Sequence, residues 1–366
     1  MDRAEQVTLT AVELGSSALG GDVRLELAPR TTVLVGKNGA GKSAILERIG
    51  QGFRTVQGIA SRPEPERFAC ELRLQDARSL RYQFVWHPSK GSPNDEVEAR
   101  LEETCMLNGQ LIWRLDDGEL LRSDSNNDVG MRKQGLASQE RGSTLLDLST
   151  SIRWIGAVIS VRANEREEIM VARKGNRIQI STHPLVALTH RFVRWHQTLP
   201  DEFEELVELG RRTRLFREIS IKRYIDSDGS PTTRDFVSVS IDDTNLGLLS
   251  DGTLRAVQIF MELLEPETKL LMIDEPESAA HPGLLARILA EIETYSAERQ
   301  ILLSTQSPQV VSWAQPDAIR LVERNAEVTS VRSFDESTLV RLERYLHDED
   351  TLGDFIYGGG VDGFAE

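Results

Sequence analysis

Thr32-Val33-Leu34-Val35-Gly36-Lys37-Asn38-Gly39-Ala40-Gly41-Lys42-Ser43 passes from a β-like apolar run through a glycine-rich turn into a helix-like run that reaches Ile49. Strand, glycine turn and helix start in that order form a phosphate cradle. The glycines let backbone N–H groups close on phosphate oxygens, Lys42 reaches the β- and γ-phosphates, and the Ser43 hydroxyl is placed for Mg²⁺. The positive end of the helix dipole adds to the attraction. A glycine-rich turn that binds nothing is the competing reading, and the flanking strand and helix argue against it. Gly36, Lys37, Asn38, Gly39, Ala40, Gly41, Lys42 and Ser43 are therefore expected to hold a nucleoside triphosphate.

Far along the chain, Leu270-Leu271-Met272-Ile273-Asp274-Glu275 is an apolar strand that ends in two carboxylates. In an open α/β sheet, ligands bind beyond the carboxyl ends of the strands, where a phosphate loop also lies. There Asp274 can support Mg²⁺, and Glu275 can orient or deprotonate an attacking water. Upstream, Leu249-Ser250-Asp251-Gly252-Thr253 precedes a helix-like run. Read alone it is a helix cap made by Ser250 or Asp251, although small residues at a helix N-terminus also form an anion site.

Between these motifs the pattern is mixed. Val7–Leu14 and Val23–Leu27 read as strands ahead of the phosphate-loop strand. Alternating apolar residues at 68, 70, 72 and 74 and again at 80, 82, 84 and 86 predict a hairpin turning at 75–79. Asn108-Gly109, Asp117-Gly118 and Lys174-Gly175-Asn176 are further hairpin signals. The stretches 87–98 and 123–142 are polar and loop-like. A helical period runs from Pro184 through Arg217, followed by β-like runs at 218–225 and 236–241. An α/β alternation then returns, with helices at 252–264 and 282–295 and strands at 269–273, 300–304 and 318–322.

With 366 residues, 39% hydrophobic and 28% charged, the chain has ample material for a globular core. No apolar run is long enough to span a bilayer, and Met1-Asp2-Arg3-Ala4-Glu5 lacks the order of a signal peptide, so a cytoplasmic protein away from membranes is expected. Cys70 and Cys105 are too few and too far apart in sequence for a disulfide framework or a zinc site. A net charge of −15 excludes a surface that is basic all over, so nucleic-acid binding would need a local patch. One candidate is Arg211, Arg212, Arg214 and Arg217 with Lys222 and Arg223, preceded by His190, Arg191 and Arg194; an ordinary solvated helix face is the equal alternative.

The order of the motifs carries a resemblance. A phosphate loop, then Leu249-Ser250-Asp251-Gly252-Thr253-Leu254-Arg255, then the acidic strand continuing Glu275-Pro276-Glu277-Ser278-Ala279-Ala280-His281-Pro282, then Ser304-Thr305-Gln306-Ser307-Pro308, resembles the ABC-type ATPases. Within them the chain is similar to the soluble AAA-domain group related to the OLD and SMC/RecF-like ATPases, which includes ATPase subunits of bacterial anti-phage systems such as Septu. The resemblance covers 7–43 and 246–322, with a weaker echo at Gly353-Asp354-Phe355.

It implies an α/β ABC-type (P-loop) ATPase head with mixed β and helical insertions between the phosphate loop and the signature motif. The core would comprise 1–50 and 246–335, the insertion 51–245, and a C-terminal helix and tail 336–366. It further implies a homodimer that sandwiches ATP and Mg²⁺. The phosphate loop of one copy would hold the nucleotide, while Ser250 and Gly252 of the other close on its γ-phosphate. Ser43 and Asp274 would take Mg²⁺ and Glu275 the base role, and Ser278-Ala279 would lie in the loop linking the two sites. Gln139 is the candidate γ-phosphate-sensing glutamine, with Gln134 competing and an ordinary loop amide the alternative.

Two positions depart from the pattern. Asp251 stands where transporters carry glycine, and Gln306 where many ABC ATPases carry a switch histidine. A glutamine amide can donate to a γ-phosphate oxygen but cannot become an imidazolium. Slow hydrolysis and a long-lived ATP-bound dimer are therefore expected. The chain would act in anti-phage defence or DNA handling, with any nuclease or other effector a separate polypeptide. A scaffold with little turnover and a transporter motor are the alternatives. The acidic run Asp348-Glu349-Asp350 reads as a solvated turn.

Overall fold

The computed structural model describes residues 7–56, 65–74, 77–87, 100–116, 119–123, 158–161, 169–174, 177–182, 184–226, 234–266, 268–347 and 351–361. The chain divides into two compact units, one comprising Met1–Ser160, Thr268–Asp274 and Tyr295–Glu366, the other Val161–Glu267 and Glu275–Thr294.

The first unit contains two sheets. One is antiparallel, with strands β1 (Thr8–Ser16), β2 (Gly21–Glu26), β4 (Arg67–Arg73), β5 (Ser79–His87), β6 (Arg100–Leu107), β7 (Gln110–Asp116) and β8 (Glu119–Ser123) in the order β2-β1-β4-β5-β6-β7-β8. The expected hairpin pairs Phe68 with Phe84 and Cys70 with Tyr82. Asn108 and Gly109 both take positive φ at the turn between β6 and β7, as the Asn-Gly signal requires. The other sheet runs β18-β17-β3-β16-β15-β9, from β3 (Thr31–Val35), β9 (Val158–Val161), β15 (Leu270–Asp274), β16 (Gln300–Thr305), β17 (Ile319–Asn325) and β18 (Val328–Arg332). Strands β17, β3, β16 and β15 are parallel, and β18 returns antiparallel to β17. Every residue of β16 is buried, and so are Leu270–Ile273 of β15, as expected of parallel strands covered on both faces.

Helix α1 (Lys42–Val56) follows the phosphate loop and buries Ile45, Leu46, Ile49, Phe53 and Val56. These share a core with Leu9, Val12, Leu14, Phe68, Phe84 and Met272. Phe53 meets Phe68 edge-on at 5.0 Å, and Phe68 stacks on Phe84 at 5.5 Å. Because Phe68 joins both contacts, Phe68→Ala is expected to lower the unfolding free energy by about 3–5 kcal/mol, read from urea unfolding.

Gln300 ties the two sheets together at their buried junction. Its side chain accepts from Leu9 N at 2.7 Å and donates to Leu9 O and Ala28 O at 2.9 and 3.1 Å. A row of charges, Arg24, Glu13, Glu71 and Arg81, crosses β2, β1, β4 and β5. Hydrogen bonds from Arg81 hold the Glu13 carboxyl below its usual range, and those from Arg24 do the same for Glu71.

The second unit contains the hairpin β10 (Ile169–Lys174) and β11 (Arg177–Thr182), helices α2 (Pro184–Thr198) and α3 (Pro200–Arg212), and strands β12 (Ile219–Asp226), β13 (Arg234–Ile241) and β14 (Thr244–Asn245). Helices α4 (Asp251–Leu264) and α5 (Pro282–Tyr295) complete it. The helical run expected from Pro184 to Arg217 is two helices, the second ending at Arg212. Pro200 opens α3, and Leu199 before it leaves helical geometry at φ −137° and ψ 61°. A proline clashes with a helical conformation in the preceding residue and has no N–H to continue the ladder.

At the C-terminal end of the first unit lie α6 (Pro308–Trp313), α7 (Glu336–Leu346) and α8 (Leu352–Phe355), the last continuing into a wider turn through Gly360. The turns expected at Asp117-Gly118 and Gly175-Asn176, most of both polar stretches, and Asp348-Glu349-Asp350 lie outside the described residues. Among the described residues, no helix is long and apolar enough to cross a membrane.

Candidate nucleotide site

The carboxyl end of β3 delivers the chain into the glycine turn, and Lys42 opens α1. Gly39 and Gly41 stand at φ 78° and 103°, a region costly for residues with a Cβ, so glycine is what lets the loop curl. Lys42 is buried, and its ammonium donates to Gly36 O at 2.6 Å and Lys37 O at 3.1 Å. The lysine thus lies along the loop's own carbonyls. Asn38 and Ala40 complete the turn, with Ala40 N donating to Lys37 O at 3.1 Å.

Asp274 closes β15 at the same end of the sheet. Ser43 Oγ donates to Asp274 Oδ1 at 3.0 Å, and Ser304 Oγ at the end of β16 donates to the same oxygen. Parallel pairing of β15, β16 and β3 brings these residues together, since all three strands end on one edge. A hydroxyl and a carboxylate oxygen side by side are a donor set suited to Mg²⁺, which takes oxygen ligands and usually keeps waters and substrate phosphates as the rest of its shell.

A third wall leaves little trace in the sequence. The hairpin of β17 and β18 presses on the phosphate loop from the far side of β3. A Cβ on Gly36 would stand 2.4 Å from Val322 O, and one on Gly41 would stand 2.7 Å from Thr329 Oγ1. Thr329 is buried, and its hydroxyl has no hydrogen-bond partner among the described residues. The signal in the sequence was weak: Asn325-Ala326-Glu327 turns the chain with Ala326 at φ 55°, where a glycine would have marked the hairpin.

In the second unit, Ser250 caps α4. Its hydroxyl accepts from Thr253 N at 3.2 Å and lies 2.9 Å from Thr253 Oγ1, so the capping reading of this motif is realised. Ser250 and Asp251 are exposed, whereas Gly252 is buried against the loop that follows Glu275. A Cβ on Gly252 would stand 2.2 Å from Ala279 O. That loop is tightly wound, with Glu275 at φ 50° and Ala279 at φ 61°. Ser278 closes it, its amide donating to Glu275 O at 2.9 Å and its hydroxyl to Glu275 Oε2 at 3.3 Å. The Glu275 carboxylate is thereby oriented by its own turn.

Gln306 is half-buried between the last residue of β16, Thr305, and the cap of α6, Ser307. Gln139 and Gln134 lie outside the described residues.

The arginine cluster is largely committed to carboxylates within its own unit. Arg212 makes a bidentate pair with Glu291 at 3.0 and 3.1 Å and also reaches Glu205 at 3.6 Å. Arg211 donates to Arg217 O at 2.8 Å and lies 3.5 Å from Glu208. Arg191 pairs with Glu262 and Glu265; burial alone would lower its guanidinium, and the two glutamates overcome that, so its charge is retained. Arg194 lies 3.6 Å from Glu265. Arg214 and Arg217 are exposed.

Residues 147–312 match the family described as "AAA domain, putative AbiEii toxin, Type IV TA system". No curated protein matches the chain significantly. Among solved structures, the chain is similar to the SMC head domain from Thermotoga maritima, with 15% identity over 90% of this chain and 99% of that one at a TM-score of 0.45. An SmcHead bound to the C-winged helix domain of ScpA gives 16% identity over 91% and 99%, again at 0.45. An Smc head with an extended coiled coil, bound to the C-terminal domain of ScpA and derived from Pyrococcus furiosus, gives 12% over 93% and 100%, also at 0.45. The chain thus combines a mixed α/β fold, in which a glycine turn leaves a parallel sheet and opens a helix, with a similarity to an AAA-domain family over residues 147–312, under half of its length.

Proposed function

We propose that the chain binds ATP with Mg²⁺ and hydrolyses it slowly as a homodimeric switch that sandwiches the nucleotide between two copies. The observation that carries this reading is the meeting of Ser43 and Asp274 at 3.0 Å beside a lysine already held on the loop carbonyls. On nucleotide binding, Lys42 exchanges those carbonyls for phosphate oxygens. Ser43 and Asp274 would hold Mg²⁺, and a cation bound there would supply positive charge beside the phosphates. Glu275, next in the chain, orients and deprotonates the attacking water. Gln306 donates its amide to the γ-phosphate, and Ser250 and Gly252 of a second copy close the site at the N-terminus of α4.

Because Gln306 cannot take up a proton as histidine does, turnover is slow and the closed dimer persists. The family matched over residues 147–312 and the sequence resemblance both support a place in defence or DNA handling, acting on a separate effector such as a nuclease. Direct phosphate-backbone contact would rest on Arg214 and Arg217 more than on Arg211 and Arg212, whose guanidinium groups are already engaged.

Equilibrium binding of a fluorescent ATP analogue with Mg²⁺, alongside phosphate release, tests the reading. Wild type is expected to bind the analogue and release phosphate slowly, and Lys42→Ala to weaken binding by about 100-fold or more, since a buried charge-assisted contact is lost. Wild-type affinity in Lys42→Ala, or rapid turnover by the isolated wild-type protein, would contradict it.

A further inference from the structure

We propose that the C-terminal segment at Gly353 is a positioning clamp for Gln306; this rests on the reading of Gln306 as the γ-phosphate contact. Gln306 belongs to a two-residue link between β16, which ends at Thr305, and α6, which starts at Pro308. On the strand side the link is fixed: Thr305 is fully buried, and its hydroxyl accepts from Ser307 N at 2.9 Å. The helix side is weaker. Helix α6 has only six residues, and Ser307 makes no side-chain cap to it. So short a helix takes its orientation from what packs on it.

What packs on it is α8. Gly353 N donates to Ser312 Oγ at 3.1 Å. A Cβ on Gly353 would stand 2.6 Å from Pro308 O, 2.7 Å from Ser312 Oγ and 3.0 Å from Pro308 Cα. The C-terminal backbone therefore lies directly on Pro308, two residues from Gln306, and reaches along α6 to Ser312. Nothing larger than glycine fits there.

The clamp is itself held firmly. Thr351 and Asp354 form a reciprocal capping box, with Thr351 Oγ1 donating to Asp354 Oδ2 at 2.6 Å and accepting from Asp354 N at 3.1 Å. Leu352, Phe355 and Ile356 are buried, and the Phe355 ring lies 5.2 Å from that of Tyr345 on α7. Anchoring belongs to these side chains. Gly353 contributes none, so a methyl group there displaces α6 and leaves the anchor in place. Displacement of about 1 Å at a reacting group can cost on the order of 100-fold in rate, which makes an indirect contact of this kind measurable.

The test uses the full chain and follows phosphate release against ATP concentration, with analogue affinity measured separately. Gly353→Ala is expected to lower kcat roughly 10- to 100-fold while the affinity for ATP stays at the wild-type value. Ser312→Ala, which removes the hydrogen bond and adds no atoms, should lower kcat less but in the same direction. Combined with Gln306→Ala, the Gly353→Ala change should add no further loss, because both act through one group. Wild-type kcat in Gly353→Ala, or multiplicative losses in the double variant, would overturn the clamp while Gln306 kept its role. Wild-type kcat in Gln306→Ala would overturn both. If Gly353→Ala lacks a cooperative thermal transition, Ser312→Ala decides: reduced kcat at unchanged affinity supports the clamp, and wild-type kcat overturns it.

Discussion

Replacing Glu275 with glutamine is expected to lower phosphate release by about 10²–10⁴-fold, the usual contribution of a positioned general base. Glutamine keeps the shape of the side chain and offers Ser278 Oγ the same kind of acceptor that Oε2 now provides at 3.3 Å. The tight turn after β15 should therefore survive, and the loss should fall on basicity alone. Neither Lys42, Ser43 nor Asp274 is altered, so the variant should bind ATP as wild type does. Binding without hydrolysis should then hold two copies together. Size-exclusion chromatography with light scattering should show Glu275→Gln as a dimer in ATP and Mg²⁺ and as a monomer in ADP. Wild-type turnover in this variant would remove Glu275 from the chemistry.

How much of this was legible depended on the distance over which each signal acts. The succession of strand, glycine turn and helix start could be read because the three are contiguous, and the structure builds them as β3, the loop and α1. The pairing of Phe68 with Phe84 followed from strict alternation on two neighbouring strands. The approach of Ser43 to Asp274 spans 231 positions and could be expected only from where parallel strands end. The break at Leu199-Pro200 was hidden by continuity of apolar spacing, since Phe203, Leu206 and Leu209 extend the period of Leu188, Phe192 and Trp195. Here the backbone chemistry of one proline outweighs the pattern.

Other features were invisible for a different reason. Thr329 against Gly41, Ala279 against Gly252, and Gly353 against Pro308 are contacts of backbone or small side chains. Such contacts leave no periodicity and no composition signal. The arginine cluster shows the opposite fault: counting charges registered Arg211 and Arg212 as a patch. Their partners Glu205, Glu208 and Glu291 come from the same helix and from one about eighty positions later. A patch is a property of unpaired surface charge, and pairing is a tertiary fact.

Gly252→Ala separates a composite site from a site contained in one chain. The added Cβ would meet Ala279 O at 2.2 Å, and the obstacle is a backbone carbonyl that cannot rotate away as a flexible side chain would. Either the first turn of α4 or the loop from Glu275 to Ala280 must move. That loop has little slack, because Glu275 and Ala279 already occupy left-handed conformations at φ 50° and 61°. In the proposed dimer, the amide donors around Ser250 would then no longer meet a γ-phosphate presented by a second copy. Loss of one preorganised donor to developing charge costs roughly 10²–10³ in kcat, and a fall of that size is expected. ATP affinity of the single chain should be unchanged, because the phosphate loop is untouched. Complementation then decides the matter. A Gly252→Ala copy retains Lys42, and a Lys42→Ala copy retains Gly252, so a mixed pair contains one intact composite site. Mixing two inactive proteins should restore phosphate release, and the recovered rate should rise with total protein concentration. If the mixture stays as inactive as its components, the nucleotide is not shared between two copies.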